Sequence, residues 1–244
     1  MKVSVVIPCK NEELIVENIL KSLTAQTKLP DEIILVDSNS TDRTAVVASQ
    51  IAKEQGLNLK VISTKTSGVA YARNIGGKEA VGDMLFFMDA DVQLPSEYLE
   101  KALQEIDKRH LQCGGTRQKM LSEKTGIRVG ARMMNVYLKA MQYTPWPIAF
   151  SCMFSEKNVF KAVNGFDTEL YIMEDYDYAL RAKRKKYKFG IIDSTHFLAS
   201  DRRFDTPEKG LVWRGIYGEI YRYTHGLRVT KKIYDYKMGG KKDA

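Results

Sequence analysis

The sequence predicts an α/β fold, a doubly wound, mostly parallel sheet, from three observations. The apolar runs are near-continuous rather than alternating, amphipathic stretches separate them, and capping or turn residues mark the junctions. Residues 3–8, Val-Ser-Val-Val-Ile-Pro, are β-branched without helical period and read as a strand. Asn11 then serves as N-cap for a helix from residue 12 to about 27. The unit recurs with a strand at 32–37, a helix at 42–55 capped by Ser40 or Thr41, a strand at 59–63 and a helix at 68–80. A fourth strand at 84–88 ends in Asp89-Ala-Asp91, and Pro95 opens a helix at 96–108. In such a sheet ligands gather at the carboxyl ends of the strands, so functional residues are expected just after each one.

Beyond residue 110 the rhythm changes. Residues 125–143 are helical by pattern, carry Met133, Met134, Tyr137, Leu138 and Met141, and lead into Pro145-Trp146-Pro147. This segment reads as a lid or acceptor wall rather than sheet. A strand is expected at 149–154, a short helix at 156–163 stopped by Asn164-Gly165, and another helix at 176–186. The expected organisation is one domain over residues 1–205, with halves at about 1–110 and 111–205, and a helical, basic, aromatic-rich extension at 206–244.

At 244 residues and 44% hydrophobic content the chain can bury one sizeable core. Its formal net charge of +8, with basic residues crowding the later part, calls for an anionic partner: nucleotide phosphates, nucleic acid or acidic lipid headgroups. Cys9, Cys113 and Cys152 are widely spaced without a CxxC pair, which argues against a disulfide framework or a structural zinc site and for buried free thiols. The first apolar run is too short for a signal peptide or membrane span, so a cytoplasmic location is expected.

Asp89 and Asp91, at alternate positions after a hydrophobic strand, project to one side of the chain, where they can hold a divalent cation together with a diphosphate. Hard oxygen donors suit Mg2+ or Mn2+; an isolated pair of this kind equally serves as solvated turn aspartates. Asp37, also at a strand end, can accept a hydrogen bond from a nucleobase or cap a helix, while Asp42 suits the first turn of that helix. Arg73, on the helix after the third strand, points either into the crevice or to solvent. Asp177 and Arg181 form an i,i+4 pair that leaves Glu174 and Asp175 at the helix start, where Asp175 is the candidate base for an acceptor hydroxyl or part of a salt-bridged helix end. His196 is set apart from His110 and His225 by the arginines that follow it, Arg202 and Arg203, which suit a diphosphate.

Taken in order, the segments VSVVIPCKNEE, DEIILVDSNSTDRT, GVAYARNIGG, GDMLFFMDADV, NGFDTELYIMEDYDYALR and, more weakly, ASDRRF resemble family 2 glycosyltransferases, whose fold is GT-A. The resemblance spans roughly residues 1–205. It implies a nucleotide-sugar site in the first half, lined by Pro8, Asn11, Glu12, Asp37, Arg73 and Asp83, and an acceptor side in the second. It further implies Asp91 as principal metal ligand with Asp89 assisting, His196 as a further ligand, Arg202 and Arg203 on the diphosphate, and Asp175 as base of an inverting displacement. Lys10 stands where many relatives carry an aromatic residue, and Ser38 where many carry a second acidic one. Donors of this class are UDP- or GDP-linked sugars, and acceptors include polyprenyl phosphates, lipid-linked glycans and polysaccharides; a phosphate acceptor would leave Asp175 no proton to remove.

From Trp213 to Lys242 aromatic and apolar residues are mixed with many basic ones, which suits either an interfacial helix attached peripherally to an anionic membrane surface or a tail packed on the domain with a solvated face. Rival readings are weaker. A nucleotidyltransferase on a sugar phosphate would carry a glycine-rich loop where PCKNEE stands, a dinucleotide oxidoreductase would carry GxGxxG, and a nucleic-acid module would leave the ordered carboxylates without purpose. A catalytically silent nucleotide-binding homologue also fits the motifs.

Overall fold

The apolar runs form the centre of a mixed sheet. β1 (Val3–Cys9), β2 (Glu32–Ser38), β3 (Leu59–Thr64) and β4 (Met84–Phe87) are mutually parallel in the order β3-β2-β1-β4. Antiparallel β7 (Met153–Glu156) extends the sheet beyond β4, followed by β6 (Cys113–Leu121), β8 (Phe189–Ser200) and the two-residue β5 (Val92–Gln93). The computed structural model describes residues 1–201 and 229–230, so the expected extension at 206–244 lies outside the described residues apart from Val229 and Thr230.

The absence of alternation in β1 and β2 has a direct cause: both faces of the sheet are covered. Val5, Ile7, Leu35 and Phe86 pack on one side against α1 (Val16–Thr24), α2 (Thr44–Gln55) and α4 (Tyr98–Arg109). Val6, Val36 and Phe87 pack on the other against α3 (Val69–Glu79), α6 (Lys157–Ala162) and α7 (Glu174–Arg184), with the end of α5 (Thr125–Met141) joining through Leu138 and Met141. The strand order reverses beside β1, which places the crevice of a doubly wound sheet at the carboxyl ends of β1, β2 and β4. α3 lies unusually close to the sheet, since a Cβ at Gly76 would stand 2.3 Å from Val6 Cγ1. That approach carries Arg73, one turn earlier, to the crevice.

Several expectations need correction. The first helix begins at Val16, not residue 12, because the Glu12 carbonyl is taken up by a turn to Ile15 and Val16, and Asn11, with φ of 51°, is not its cap. The strand expected at 149–154 starts at Met153, after Ser151 turns the chain at positive φ. β5, β6 and β8 had no clear signal. In β6, Gly-Gly-Thr-Arg-Gln-Lys offers little apolar pattern, and pairing with β8 is what makes it a strand. The register of that pair jumps from Thr116–Ile192 to Arg117–His196, and the N–H groups of the looped-out Asp193 and Ser194 donate to Glu105 Oε2 at 2.9 and 2.7 Å. The three cysteines are buried and free, as expected. Among the described residues no helix is long and apolar enough to cross a membrane.

Candidate functional site

Two loops form the first wall of the crevice, and they are laced together. Asn11 N–H donates to Ser40 Oγ at 2.9 Å, Thr41 N–H donates to Asn11 Oδ1 at 2.8 Å, and Glu12 N–H donates to Thr44 Oγ1 at 2.8 Å. Glu13 N–H reaches Asp42 Oδ2 at 3.2 Å, and Glu13 returns the contact by accepting from Arg43 N–H at 2.6 Å. Asp42 also accepts from Thr44 N–H at 3.0 Å, but it stands two residues ahead of α2 rather than in the first turn expected for it, because the helix begins at Thr44. Asp37, buried at the end of β2 opposite Cys9, accepts from both the backbone and the hydroxyl of Ser40. Lys10, where a stacking ring would stand, donates to Ser67 Oγ at 2.8 Å. Burial pushes the Cys9 thiol well up, and the negative charges of Glu12, Asp37, Asp42 and Asp91 push it further, so these carboxylates converge on the end of β1.

The second wall centres on Arg73, which is 2% exposed. Its two terminal nitrogens divide between carboxylates: Nη1 donates to Glu174 Oε1 at 2.9 Å and Nη2 to Asp89 Oδ1 at 3.0 Å. The guanidinium lies 5.3 Å from the Phe166 ring centroid. Asn74, the next residue of α3, fixes that ring's backbone through Nδ2 to Phe166 O and Phe166 N–H to Asn74 Oδ1, both at 2.7 Å. Burial lowers the Arg73 pKa, but the charges of Asp89 and Glu174 together outweigh it and raise it, so Arg73 is a permanent cation. One residue thus ties the loop after β4 to the start of α7. Asp177 and Arg181 form their expected pair at 2.7 Å.

Asp175 occupies the first turn of α7, behind Met173 in the left-handed region. Burial raises its carboxyl pKa well above the usual range and Glu174 raises it further, while Arg73 and the Tyr176 N–H oppose them. The folded protein therefore holds this proton over a pH interval in which the unfolded chain has released it. The associated stability is present below the ordinary carboxylate pKa and is lost as pH rises through the raised one. Asp175→Asn is accordingly expected to melt higher than the parent near pH 8, with the difference shrinking as pH falls towards the ordinary value. Thermal melts of both proteins across that range check it; a constant difference contradicts it.

Asp91 lines a recess of about 110 Å³ with Ile15, Asn18, Gln93, Leu121 and Ser200. Asp89 and Asp91 also raise the buried Cys152 thiol, after burial itself, so both fields reach inward. Among the described residues no three His, Cys, Asp or Glu side chains are grouped to hold a metal. Two carboxylates nevertheless fit Mg2+ or Mn2+, because such ions are commonly held by one or two carboxylates with substrate phosphates and water completing the shell. His196 does not fit that role beside Asp91. It precedes Ser200 by four positions on β8, roughly 13 Å along a strand, and it lines a different cleft, with Arg117, Lys119, Arg128 and Arg132. Asp83 is also misplaced as a pocket residue: it stands at the amino end of β4, accepting from Lys2 N–H at 2.8 Å, because the strand separates it from the crevice. Arg202 and Arg203 lie outside the described residues. Pro8, Asn11, Glu12, Asp37, Asp89 and Asp91 fall at the carboxyl ends of strands or in the loops that follow them, while Arg73 within α3 joins Asp89 to Glu174 at the start of α7, next to Asp175. Phe166 carries no signal for the site in the sequence; Asn164-Gly165 before it reads as a helix stop, which Gly165 at φ of 67° is, and the support of Arg73 by Phe166 depends on folding.

Comparison with known proteins adds a family. A model described as glycosyl transferase family 2 matches residues 4–163. A dolichol-phosphate mannosyltransferase of Pyrococcus furiosus is 37% identical over 148 residues, covering 60% of this chain and 36% of that protein. A poly(ribitol-phosphate) beta-N-acetylglucosaminyltransferase of Staphylococcus aureus is 32% identical over 112 residues, covering 45% of this chain and 20% of its own length. The chain thus spans well under two thirds of these relatives. Among solved structures, a Pyrobaculum calidifontis mannosyltransferase in complex with GDP-Man and Mn2+ superposes with a TM-score of 0.71 at 21% identity, over 87% of this chain and 59% of that one. The S. aureus enzyme in complex with UDP-GlcNAc gives 0.65 at 24%, over 82% and 58%. At these identities the structures establish a shared fold.

Proposed function

The chain belongs to glycosyl transferase family 2, and from that premise we propose that it transfers a sugar from a UDP- or GDP-linked donor to a glycan or lipid-phosphate acceptor with inversion. The observation that carries the reading is Arg73, buried between Asp89 and Glu174, because it fixes the carboxylates after β4 and those opening α7 around one crevice. Residues that serve only as solvated turns and helix caps have no need of a shared, desolvated guanidinium.

The laced loops bearing Pro8, Asn11 and Glu12, with Asp37, form the nucleotide wall, and the order imposed by their hydrogen bonds reduces what donor binding must organise. Asp91, with Asp89 beside it, would hold the Mg2+ or Mn2+ that, when bound, stabilises the negative charge of the departing diphosphate. With a hydroxyl acceptor, Asp175 takes its proton as that oxygen bonds to the anomeric carbon and the carbon–oxygen bond to the diphosphate breaks. Its raised pKa suits the task, since a base works best when its pKa approaches the working pH. Glu174, engaged by Arg73, positions rather than reacts. Lipid-linked glycans, polysaccharides and polyprenyl phosphates remain the acceptor classes, and a basic tail at 206–244 fits an anionic membrane surface.

UDP or GDP is expected to raise the melting temperature only with Mg2+ or Mn2+ present; saturation at one hundred times Kd corresponds to about 2.7 kcal/mol. Differential scanning fluorimetry against both nucleotides, with and without Mn2+, checks it. No metal-dependent shift with either nucleotide would count against the donor site.

A further inference from the structure

α5 presents three faces, set by the roughly 100° between successive helical residues. Ala131, Leu138 and Met141 are buried. About a third of a turn away, Arg128, Arg132 and Asn135 line a cleft against β6 and β8. Roughly 100° further round, Val129, Met133, Val136, Ala140 and Tyr143 form a continuous stripe on the solvent side. Met133, Val136 and Tyr143 are 68%, 70% and 77% exposed, and Trp146, just past the helix, is 51% exposed. Apolar residues recurring every three or four positions mark a helix face that meets an apolar partner.

The adjoining cleft has a volume of about 220 Å³, and its charged and titratable lining consists of Arg117, Lys119, Arg128, Arg132 and His196. Among the described residues no carboxylate lines it. Asp193 neutralises Arg117 at 2.8 Å, whereas Lys119, Arg128 and Arg132 form no ion pair among the described residues. An unneutralised basic cleft opening beside an apolar stripe matches a ligand that is anionic at one end and hydrocarbon at the other.

We propose that α5 docks on an anionic phospholipid surface, with a lipid phosphate in the α5–β6–β8 cleft and the apolar stripe at the headgroup–acyl boundary. The charge pattern disfavours a second copy as the occupant, because stripes packed face to face would bring Arg128 and Arg132 of both copies together. A soluble phosphate would satisfy the cleft and leave the stripe in water. An interfacial helix uses both faces, its basic residues meeting headgroups while apolar and aromatic side chains rest a few ångströms deeper. His196 in the cleft and Ser200 in the Asp91 recess lie four residues apart on β8, so docking brings the crevice to roughly 13 Å from the lipid phosphates. This goes beyond the donor-side reading and does not depend on it.

Co-sedimentation of the full chain with vesicles tests the proposal, comparing phosphatidylcholine alone with phosphatidylcholine mixed with phosphatidylglycerol. The parent is expected to bind the mixed vesicles and to bind the neutral ones far less. Met133→Glu/Val136→Glu and Arg128→Ala/Arg132→Ala should each reduce partition by about tenfold or more, with unliganded melting temperatures near the parent's as the control for folding. Undiminished binding by the first pair overturns it, pointing to residues 206–244. Equal binding of inorganic phosphate by the parent and that pair, without preference for vesicles, overturns it in favour of a soluble-anion site. Loss of self-association in the first pair with vesicle binding intact overturns it in favour of a second copy.

Discussion

Arg73→Met is expected to destabilise the unliganded protein by about 3–5 kcal/mol, the range for leaving buried charges without their partner, and to abolish transfer. For a chain of this size that corresponds to a fall of roughly 10 °C or more in melting temperature. The reason is specific to the site. Arg73 compensates two carboxylates with side chains only 21% and 17% exposed, and its removal leaves Asp89 and Glu174 facing each other across the gap beside Asp175. The triple variant Arg73→Met/Asp89→Asn/Glu174→Gln separates stability from function. Neutralising all three groups together should restore most of the lost stability, since buried ion pairs often break even against neutral replacements, but it should not restore activity. Thermal melts and transfer assays on the single and triple variants check this. A single variant that melts like the parent would show that Arg73 does not bear the charges of the crevice.

Asp91→Asn should leave the fold in place and lower turnover by about a thousandfold, because a cation at a leaving diphosphate contributes several kcal/mol in the transition state and each 1.36 kcal/mol is worth tenfold in rate. The same variant should lose the Mn2+-dependent thermal shift with UDP or GDP. Transfer and melting measured together decide the point: a retained shift with normal turnover would move the metal elsewhere, and a retained shift with dead chemistry would make Asp91 a reacting rather than a ligating group. Asp175→Asn divides the acceptor classes in the same assay, since it should keep the nucleotide shift and lose transfer to a hydroxyl, whereas a phosphate acceptor, already ionised, would be served nearly as well.

The parallel core was legible because its cause is local. Val3–Cys9 and Glu32–Ser38 are buried on both faces, so they read as unbroken apolar runs, and the residues that follow them fall at one sheet edge by the rule that governs such folds. The far side of the sheet was not legible. β6 and β8 carry polar, basic and glycine residues that name no element, and only their mutual pairing, with a three-residue jump in register, makes them strands. Asp83 and Asp91 look alike in sequence, one carboxylate before β4 and one in the loop after it, yet strand direction sends one to Lys2 and the other to the Asp91 recess at the opposite end.

The order of motifs along the chain determined the family, the sheet and the carboxylates that reach its carboxyl edge, because each is written in stretches of contiguous residues. Which of those carboxylates share a charge was decided by folding. Arg73, Asp89, Phe166 and Glu174 are brought into contact by the close approach of α3 through Gly76 and by the placement of α7. Desolvation then couples their charges in a way that no spacing along the chain encodes.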